Sequence, residues 1–129
     1  MRIGELAAAA GTTTKTLRFY EETGLLQPAG RTSTGYRQYN PGAVGRLDFI
    51  RRGRAAGLTL AQIREILTVR DQGHAPCQHV EEVLGERLTA LDAQIADLQL
   101  LRDTVAQLHQ AVSVADPDTC HADQVCRYL

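Results

Sequence analysis

The chain has 129 residues with two Phe and no Trp, enough for one domain with a modest, largely aliphatic core. Its net charge of −1 hides an asymmetry: residues 1–59 carry nine basic and four acidic side chains, and residues 60–129 carry five and eleven. The basic half favours a polyanionic partner such as DNA, the alternative being scattered solvated charge. No apolar stretch approaches the roughly 18 residues of a membrane helix, so we expect a cytoplasmic protein without a membrane partner.

The first forty residues predict two short helices followed by a loop or hairpin. An alanine-rich helix over residues 3–10 ends at Gly11. Threonines at 12–14 offer N-cap hydroxyls for a second helix, which ends near Gly24. Residues 27–40 are rich in Gly and Pro and hold two tyrosines around an arginine, so we expect a loop or hairpin. A helix-turn-helix that runs into a basic, aromatic-bearing wing is a device for gripping duplex DNA.

Two further short helices are expected before a break in the chain. Pro41 is placed to open a third helix at its first position, and this helix runs to about Ala56. Thr59 is the expected N-cap of a fourth helix, from Leu60 to about Arg70. Residues 71–76 interrupt the helical pattern and predict a hinge.

Beyond residue 76 the apolar residues recur at steps of three and four, which is typical of a coiled-coil helix. They are Val80, Leu84, Leu88, Leu91, Ile95, Leu98, Leu101, Val105, Leu108 and Val112. The stripe would extend for roughly 50 Å, so pairing with a second copy of the chain would cover it. The alternative is that it lies on the four short helices. The tail from residue 113 predicts a loop with a final short turn.

Three segments together resemble the MerR family of transcription regulators: LRFYEETGLL at 17–26, GYRQY at 35–39 and GRLDFIRRGRAAGLTLAQIREIL at 45–67. The resemblance covers about residues 1–112. It implies a mainly α fold: a winged helix-turn-helix DNA-binding domain over 1–70, a hinge over 71–76, an antiparallel coiled-coil dimerisation helix over 77–112 and an effector-binding loop over 113–129. It also implies a homodimer that activates transcription by bending and untwisting an overlong promoter spacer for RNA polymerase, typically at a metal-resistance operon.

DNA-contacting positions follow from the same resemblance. They are Lys15, Thr16, Arg18 and Tyr20 on the second helix, Arg31, Tyr36 and Arg37 on the wing, and Arg54 as a further phosphate contact. Arg18 could donate a bidentate pair to guanine or grip phosphate, and both possibilities stay open. Packing is the alternative role for Tyr20, Tyr36 and Tyr39, whereas Leu17 and Phe19 are expected in the core.

The three cysteines form the second candidate site. In a reducing compartment they indicate metal ligands or reactive thiols rather than disulfides. Cys77 opens the long helix, and Cys120 and Cys126 lie in the tail. In an antiparallel dimer the start of one long helix approaches the tail of its partner, which would bring all three thiolates together. Such a site suits Hg²⁺, Cd²⁺, Pb²⁺, Zn²⁺ or Cu⁺, and His79, His121, Asp123 or water could complete the coordination that zinc prefers.

The resemblance narrows the choice of effector. A cysteine at the head of the dimerisation helix is similar to the divalent-metal branch of the family, whereas sensors of monovalent ions typically carry serine there. We therefore expect Hg²⁺, Zn²⁺, Cd²⁺ or Pb²⁺. The tail departs from the usual pattern, in which the first loop cysteine lies near Val112 and the second close to Cys120. Here the pair is shifted towards the C-terminus at a spacing of six. His74 and His109 are expected to be solvated or packing residues.

Other functions fit the sequence less well. The same cysteines could sense oxidants or electrophiles, for example through a disulfide between Cys120 and Cys126. An iron–sulfur sensor of this family would need four tail cysteines, and this chain has two. The three cysteines of this chain could also be incidental, with no role in sensing. The sequence has no Gly-rich phosphate loop, nucleophile elbow or HExxH motif, so we expect no enzyme.

Overall fold

The computed structural model describes residues 1–28, 30–122 and 125–129. Within them the chain is mainly helical, as predicted, with five α-helices and one two-stranded sheet. The elements are α1 (Ile3–Ala10), α2 (Thr14–Glu22), β1 (Gly30–Arg31), β2 (Arg37–Gln38), α3 (Ala43–Ala55), α4 (Leu60–Asp71), α5 (Cys77–Ser113) and a 3₁₀ turn (Pro117–Thr119). The chain divides into two compact units, Met1–Arg87 and Leu88–Leu129, and α5 contributes to both. None of the described helices combines the length and apolarity needed to cross a bilayer.

The turn between α1 and α2 is built by capping groups that the sequence signals correctly. Gly11 ends α1 in the left-handed region, at φ 68°. Its N–H donates to Ala8, and the N–H of Thr12 donates to Ala7. Thr13 then caps α2, because its hydroxyl accepts a hydrogen bond from the backbone N–H of Thr16 at 3.2 Å. Since both helix ends are satisfied locally, the two helices form a tight helix-turn-helix.

A mainly aliphatic core joins the helices of the first unit. Its most deeply buried side chains are Leu6, Leu17, Leu25, Leu26, Ile50, Ile63 and Ile66. Each side chain of this size gains about 1.5–3 kcal/mol on burial. Tyr39, at the end of the wing, is 2% exposed. Its side chain therefore packs in the core, which was the alternative role given for it above. Val83 of α5 is also buried in this cluster, so the start of the long helix belongs to the same packed body.

Two expectations about individual residues are wrong. Phe19 is 46% exposed rather than buried, because it lies almost opposite the buried Leu17 on α2 and cannot share its face. Pro41 does not open α3 at its first helical position, since the helix begins at Ala43 with Gly42 as N-cap. Pro41 lies in the preceding turn, where its carbonyl accepts a hydrogen bond from the N–H of Val44 at 3.2 Å.

The loop or hairpin expected over 27–40 is a β-hairpin. β1 and β2 pair antiparallel, with Gly30 opposite Gln38 and Arg31 opposite Arg37. Gly35 is in the left-handed region at φ 88°, and its N–H donates to the carbonyl of Thr32 across the turn at 2.9 Å. A left-handed residue is cheap only for glycine, so this position fixes the turn.

Polar contacts fasten α3, α4 and the start of α5 to one another. Arg46 of α3 donates to the carbonyl of Leu25 at 2.6 Å and forms a two-pronged ion pair with Asp71 at the end of α4. Arg87 of α5 donates to the carbonyl of Ala56, just beyond α3, at 3.1 Å. The Arg46–Asp71 pair joins the start of α3 to the end of α4. The Arg87 bond attaches the first three turns of α5 to the other end of α3.

Beyond residue 87 the apolar stripe of α5 is open. Leu88, Ile95, Leu98, Leu101 and Val105 are each more than half exposed in the chain. Soluble proteins rarely leave so long an apolar run uncovered. The second unit therefore carries a surface suited to association.

Two glycines test the contact between α5 and α3. Gly57 and Gly73 both have φ near 84°, at 83° and 84°. A Cβ on Gly57 would lie 2.7 Å from Cζ of Arg87, whereas one on Gly73 would meet nothing within 4 Å. Gly73→Ala should cost about 1–2 kcal/mol of unfolding free energy through backbone strain alone. Gly57→Ala should cost about 0.5–1.5 kcal/mol more, because Arg87 must leave its hydrogen bond.

The measurement is urea unfolding at one fixed protein concentration. Arg87→Ala is the matched background, and there the extra cost of Gly57→Ala should disappear. Equal costs for the two glycine variants in the parent protein would show that Arg87 does not hold α5 to the end of α3.

Candidate nucleic-acid interface and candidate metal-ligating cysteines

One face of α2 points away from the core and is charged. Lys15, Arg18, Phe19 and Glu22 are exposed, at the i, i+3, i+4 and i+7 spacing of a single helical stripe. We call these four residues the outer face of α2. Leu17 is fully buried on the opposite side, so the core fixes the direction in which the outer face points. Lys15 and Arg18 are thus free to approach a polyanion.

The other two predicted residues of α2 are half-buried. Thr16 accepts a hydrogen bond from the hydroxyl of Thr13 at 3.0 Å, so its side chain also supports the helix cap. Tyr20 packs against the core. Both line an open notch of about 520 Å³ together with Lys15 and Arg54. The structure therefore brings Arg54, which comes from the end of α3, next to the residues of α2.

The predicted wing residues make different contacts. Arg31 donates to the carbonyl of Gly35 at 3.0 Å, which holds its side chain against the hairpin turn. Arg37 forms an ion pair with Glu21 of α2 at 2.8 Å. The carboxylate of Glu21 is largely buried, and the ion pair attaches the wing to α2. It also compensates part of the positive charge of Arg37. Tyr36 is 57% exposed, which favours its predicted contact role over packing.

Arg2 is a residue that the sequence reasoning missed. Its guanidinium lies over the ring of Tyr36, 4.5 Å from the ring centroid. The N-terminal ammonium also reaches the wing, donating to the carbonyl of Tyr39 at 3.1 Å. Both contacts add positive charge beside the wing. Only the basic character of residue 2 was visible in the sequence, because its partner lies 34 positions away.

The arginines of α3 differ in how far their charge is compensated. Asp48 pairs with Arg51 at 2.7 Å and with Arg52 at 3.1 Å. The hydrogen bond from Arg51 is the main reason why the pKa of Asp48 lies below its ordinary value, and the charges of Arg51 and Arg52 act in the same direction. Arg54 makes no ion pair within the part of the chain that the structure describes. Among Arg51, Arg52 and Arg54, the charge of Arg54 is therefore the least compensated.

All three cysteines are free and exposed. Cys77 is the first residue of α5. Cys120 follows the 3₁₀ turn, and its N–H donates to the carbonyl of Pro117 at 3.2 Å. Cys126 lies in the last irregular segment of the chain. A cysteine that binds a metal or senses oxidants must have a free, accessible thiol, and these three cysteines meet that condition.

Arg127 connects the segments that carry the two tail cysteines. Its guanidinium donates to the hydroxyl of Thr119, the neighbour of Cys120, at 2.7 Å, and to the hydroxyl of Tyr128 at 3.0 Å. Tyr128 is the main cause of the raised pKa of Arg127, and the charges of Cys120 and Cys126 raise it further. The immediate neighbours of Cys120 and Cys126 are thus joined by a hydrogen bond.

The candidate fourth ligands differ in their surroundings. His79 is half-buried, with Nε2 3.6 Å from a carboxylate oxygen of Glu65 on α4. This Nε2 is buried and lacks a hydrogen bond among the described residues. His121 is exposed, as are His74 and His109, whereas Asp123 lies outside the described residues. Within residues 1–28, 30–122 and 125–129 of one chain, no three His, Cys, Asp or Glu side chains form a group that could hold a metal ion.

Comparison with known proteins identifies relatives along nearly the whole chain. The family described as "MerR HTH family regulatory protein" matches residues 1–69, and that described as "MerR, DNA binding" matches residues 44–108. The transcriptional regulator ZntR of Escherichia coli is 37% identical over 129 residues, covering 99% of this chain and 89% of that protein. A probable heavy metal-dependent transcriptional regulator of Haemophilus influenzae is 34% identical over 120 residues, covering 93% and 94%.

A solved structure gives the same result. The crystal structure of the transcription regulator PbrR691 from Ralstonia metallidurans, in complex with lead(II), aligns with a TM-score of 0.76 and 32% identity. The match covers 93% of this chain and 94% of that one. The likeness thus extends through the long helix.

The uncompensated charge of Arg54 gives a test of the interface. We expect Arg54→Gln to weaken DNA binding similarly for all sequences, because a phosphate contact carries no base information. The slope of log K against log salt should become shallower by about 0.9 for each phosphate that the variant no longer neutralises. Fluorescence anisotropy over a series of salt concentrations measures both quantities.

The matched control is Arg102→Gln, which removes the same charge from an arginine that lies on α5 and pairs with Asp103. This control should leave the slope unchanged. A slope that is unchanged in Arg54→Gln, or equally altered in both variants, would remove Arg54 from the interface.

Proposed function

Because this chain belongs to the MerR family of transcription regulators, we propose that it is a metal-responsive activator that holds a soft divalent ion between two subunits. Cys77 of one subunit and Cys120 and Cys126 of the other supply the thiolates. The observation that carries the proposal is that all three thiols are free and exposed. The family is one of DNA-binding regulators rather than enzymes.

The chemistry of the donor set and the relatives together support the class of effector. Thiolates prefer soft ions, among them Hg²⁺, Cd²⁺ and Pb²⁺, and they also bind Zn²⁺. One relative is named as a heavy metal-dependent regulator, and a structural neighbour was solved with lead(II). For zinc we propose that His79 or His121 completes a four-ligand site. A trigonal site with three thiolates would suit mercury or lead.

The exposed stripe of α5 supports the proposed homodimer. A second copy in antiparallel orientation would cover Leu88, Ile95, Leu98 and their neighbours. Each would gain roughly half of the about 1.5–3 kcal/mol that full burial is worth, because about half of its surface is already covered. Antiparallel pairing also places the start of one α5 near the end of the other. This arrangement would allow the three predicted ligands to meet.

Contacts at the start of α5 support a route from the cysteines to the DNA. Cys77 begins the helix whose residue Val83 is buried with the core and whose Arg87 bonds to the end of α3. His79 faces Glu65 of α4 in the same stretch. A ligand that fixes Cys77 therefore acts on a helix already packed against the DNA-binding helices. We propose that the resulting change in orientation bends and untwists promoter DNA for RNA polymerase.

A second candidate function keeps the DNA-binding part and makes the cysteines sensors of oxidants or electrophiles. The observation that favours it is that both tail thiols are free and exposed, as a redox-sensing cysteine must be. In that case mild oxidation should remove two thiols per chain reversibly, with a matching change in promoter output.

Substitution of Cys77 separates metal binding from DNA binding. In anaerobic titrations with Hg²⁺, Cd²⁺, Pb²⁺ and Zn²⁺ against a competing chelator, Cys77→Ser should lower the affinity for the cognate ion. The loss should exceed the roughly 10- to 100-fold that changes to the outer partners of metal ligands cause. Promoter binding should persist, because Cys77 is exposed and distant in sequence from α2.

Two outcomes would contradict the proposal. Simultaneous loss of metal and promoter binding in Cys77→Ser would show that the residue supports the fold rather than the effector. Unchanged affinity would remove it from the ligand set, and an absence of tight binding in the parent protein would favour the oxidant or electrophile sensor.

Arg127 allows a test of the tail independently of any ligand substitution. Arg127→Gln breaks the bond to Thr119, the neighbour of Cys120, and removes a positive charge from the tail. We expect about a 10- to 100-fold loss of metal affinity, as is usual for outer partners of metal ligands. Arg127→Lys keeps the charge but lacks the planar guanidinium. Its metal affinity should therefore lie between that of the wild type and that of Arg127→Gln.

The control for these variants is again Arg102→Gln, titrated with the same ions. An affinity unchanged in Arg127→Gln would show that the contact with Thr119 does not organise the tail cysteines.

A further inference from the structure

Phe19 is the one large apolar side chain on the outer face of α2. It is 46% exposed, and Lys15 and Arg18 lie on the same stripe. Its ring is in tilted contact with Tyr20, at 6.1 Å between centroids, which leaves the rest of the ring open. Burial of a phenylalanine is worth about 1.5–3 kcal/mol, so an exposed ring at the centre of a charged surface suggests a function there.

The surroundings of the ring specify what can cover it. Phe19 lines the open notch of α2 together with Lys15, Thr16, Tyr20, Arg54 and Leu60. Two cations and two hydroxyl groups thus border the apolar ring. This arrangement complements a surface that has negative charge at its edges and an apolar group between them. Duplex DNA has this pattern in its major groove, where phosphates flank the 5-methyl groups of thymine.

We propose that Phe19 reads thymine by packing its ring against the 5-methyl group of the base in the major groove. Lys15 and Arg54 hold the flanking backbone, and Phe19 adds a base preference that the cations cannot supply. The proposal rests on the DNA-binding function of the family and is independent of the metal site. It assigns base reading to an apolar residue beside the candidate polar contacts.

Deoxyuridine provides the direct probe, because it differs from thymidine only by the missing methyl group. Duplexes enriched from randomised DNA by the full-length wild-type protein are resynthesised with each thymine replaced singly by deoxyuridine. Fluorescence anisotropy then gives Kd for every duplex. We expect the wild type to bind about fourfold more weakly when one particular thymine of each half-site is replaced, the effect of one methyl group leaving an apolar environment.

Variants identify the residue that makes the contact. Phe19→Ala should bind the thymine and deoxyuridine duplexes equally, and Phe19→Leu should retain most of the difference. Arg18→Ala is the comparison: it should bind both duplexes more weakly yet keep the fourfold ratio. The thermal unfolding of Phe19→Ala should match that of the wild type, because the ring is exposed.

Each contrary result has a distinct meaning. A wild type that is indifferent to every replacement, or a Phe19→Ala protein that keeps the ratio, would overturn the role of Phe19 and assign the ring to a protein contact instead. A wild type that enriches no sequence would overturn the DNA-binding function as well.

Discussion

The packing of the first three turns of α5 against α3 and α4 is the constraint on which a sensing function depends. Val83 is buried in the aliphatic core, and Arg87 bonds to the carbonyl of Ala56. A helix attached at these points cannot rotate at its start without disturbing core contacts, since packed interiors resist gradual deformation. An effector bound at Cys77, as proposed, would therefore act on α3 and α4 through these contacts.

The packing of the core also decides which charges of the first unit face outward. The burial of Leu17 turns the outer face of α2 outward, and the ion pair between Glu21 and Arg37 fastens the wing beside it. Glu21 is largely buried, so this pair is less screened by solvent than a surface pair. Arg46, in contrast, has a structural role, because it donates hydrogen bonds to the carbonyl of Leu25 and to the carboxylate of Asp71. The basic excess of the first half thus divides into cations that hold the fold and cations that remain free.

Local signals in the sequence predicted most of the fold. Gly11, Thr13 and Thr59 mark helix ends because their chemistry acts within one turn. Phe19 could also have been placed correctly, because residues two apart on a helix face opposite sides and Leu17 already occupied the buried one. The contacts of Arg2 with Tyr36 and of Arg46 with Asp71 had no such signal, since only the tertiary fold brings distant residues together.

The unusual cysteine spacing of the tail is compatible with the proposed ligand pair. The bond between Arg127 and Thr119 joins the immediate neighbours of Cys126 and Cys120. If these cysteines are ligands, groups held in place before binding would lose less freedom when the ion binds. In the proposed site, the guanidinium would offset part of the negative charge of three thiolates around a divalent ion. Selectivity in such a tail would depend on charge compensation as well as on the number of sulfur ligands.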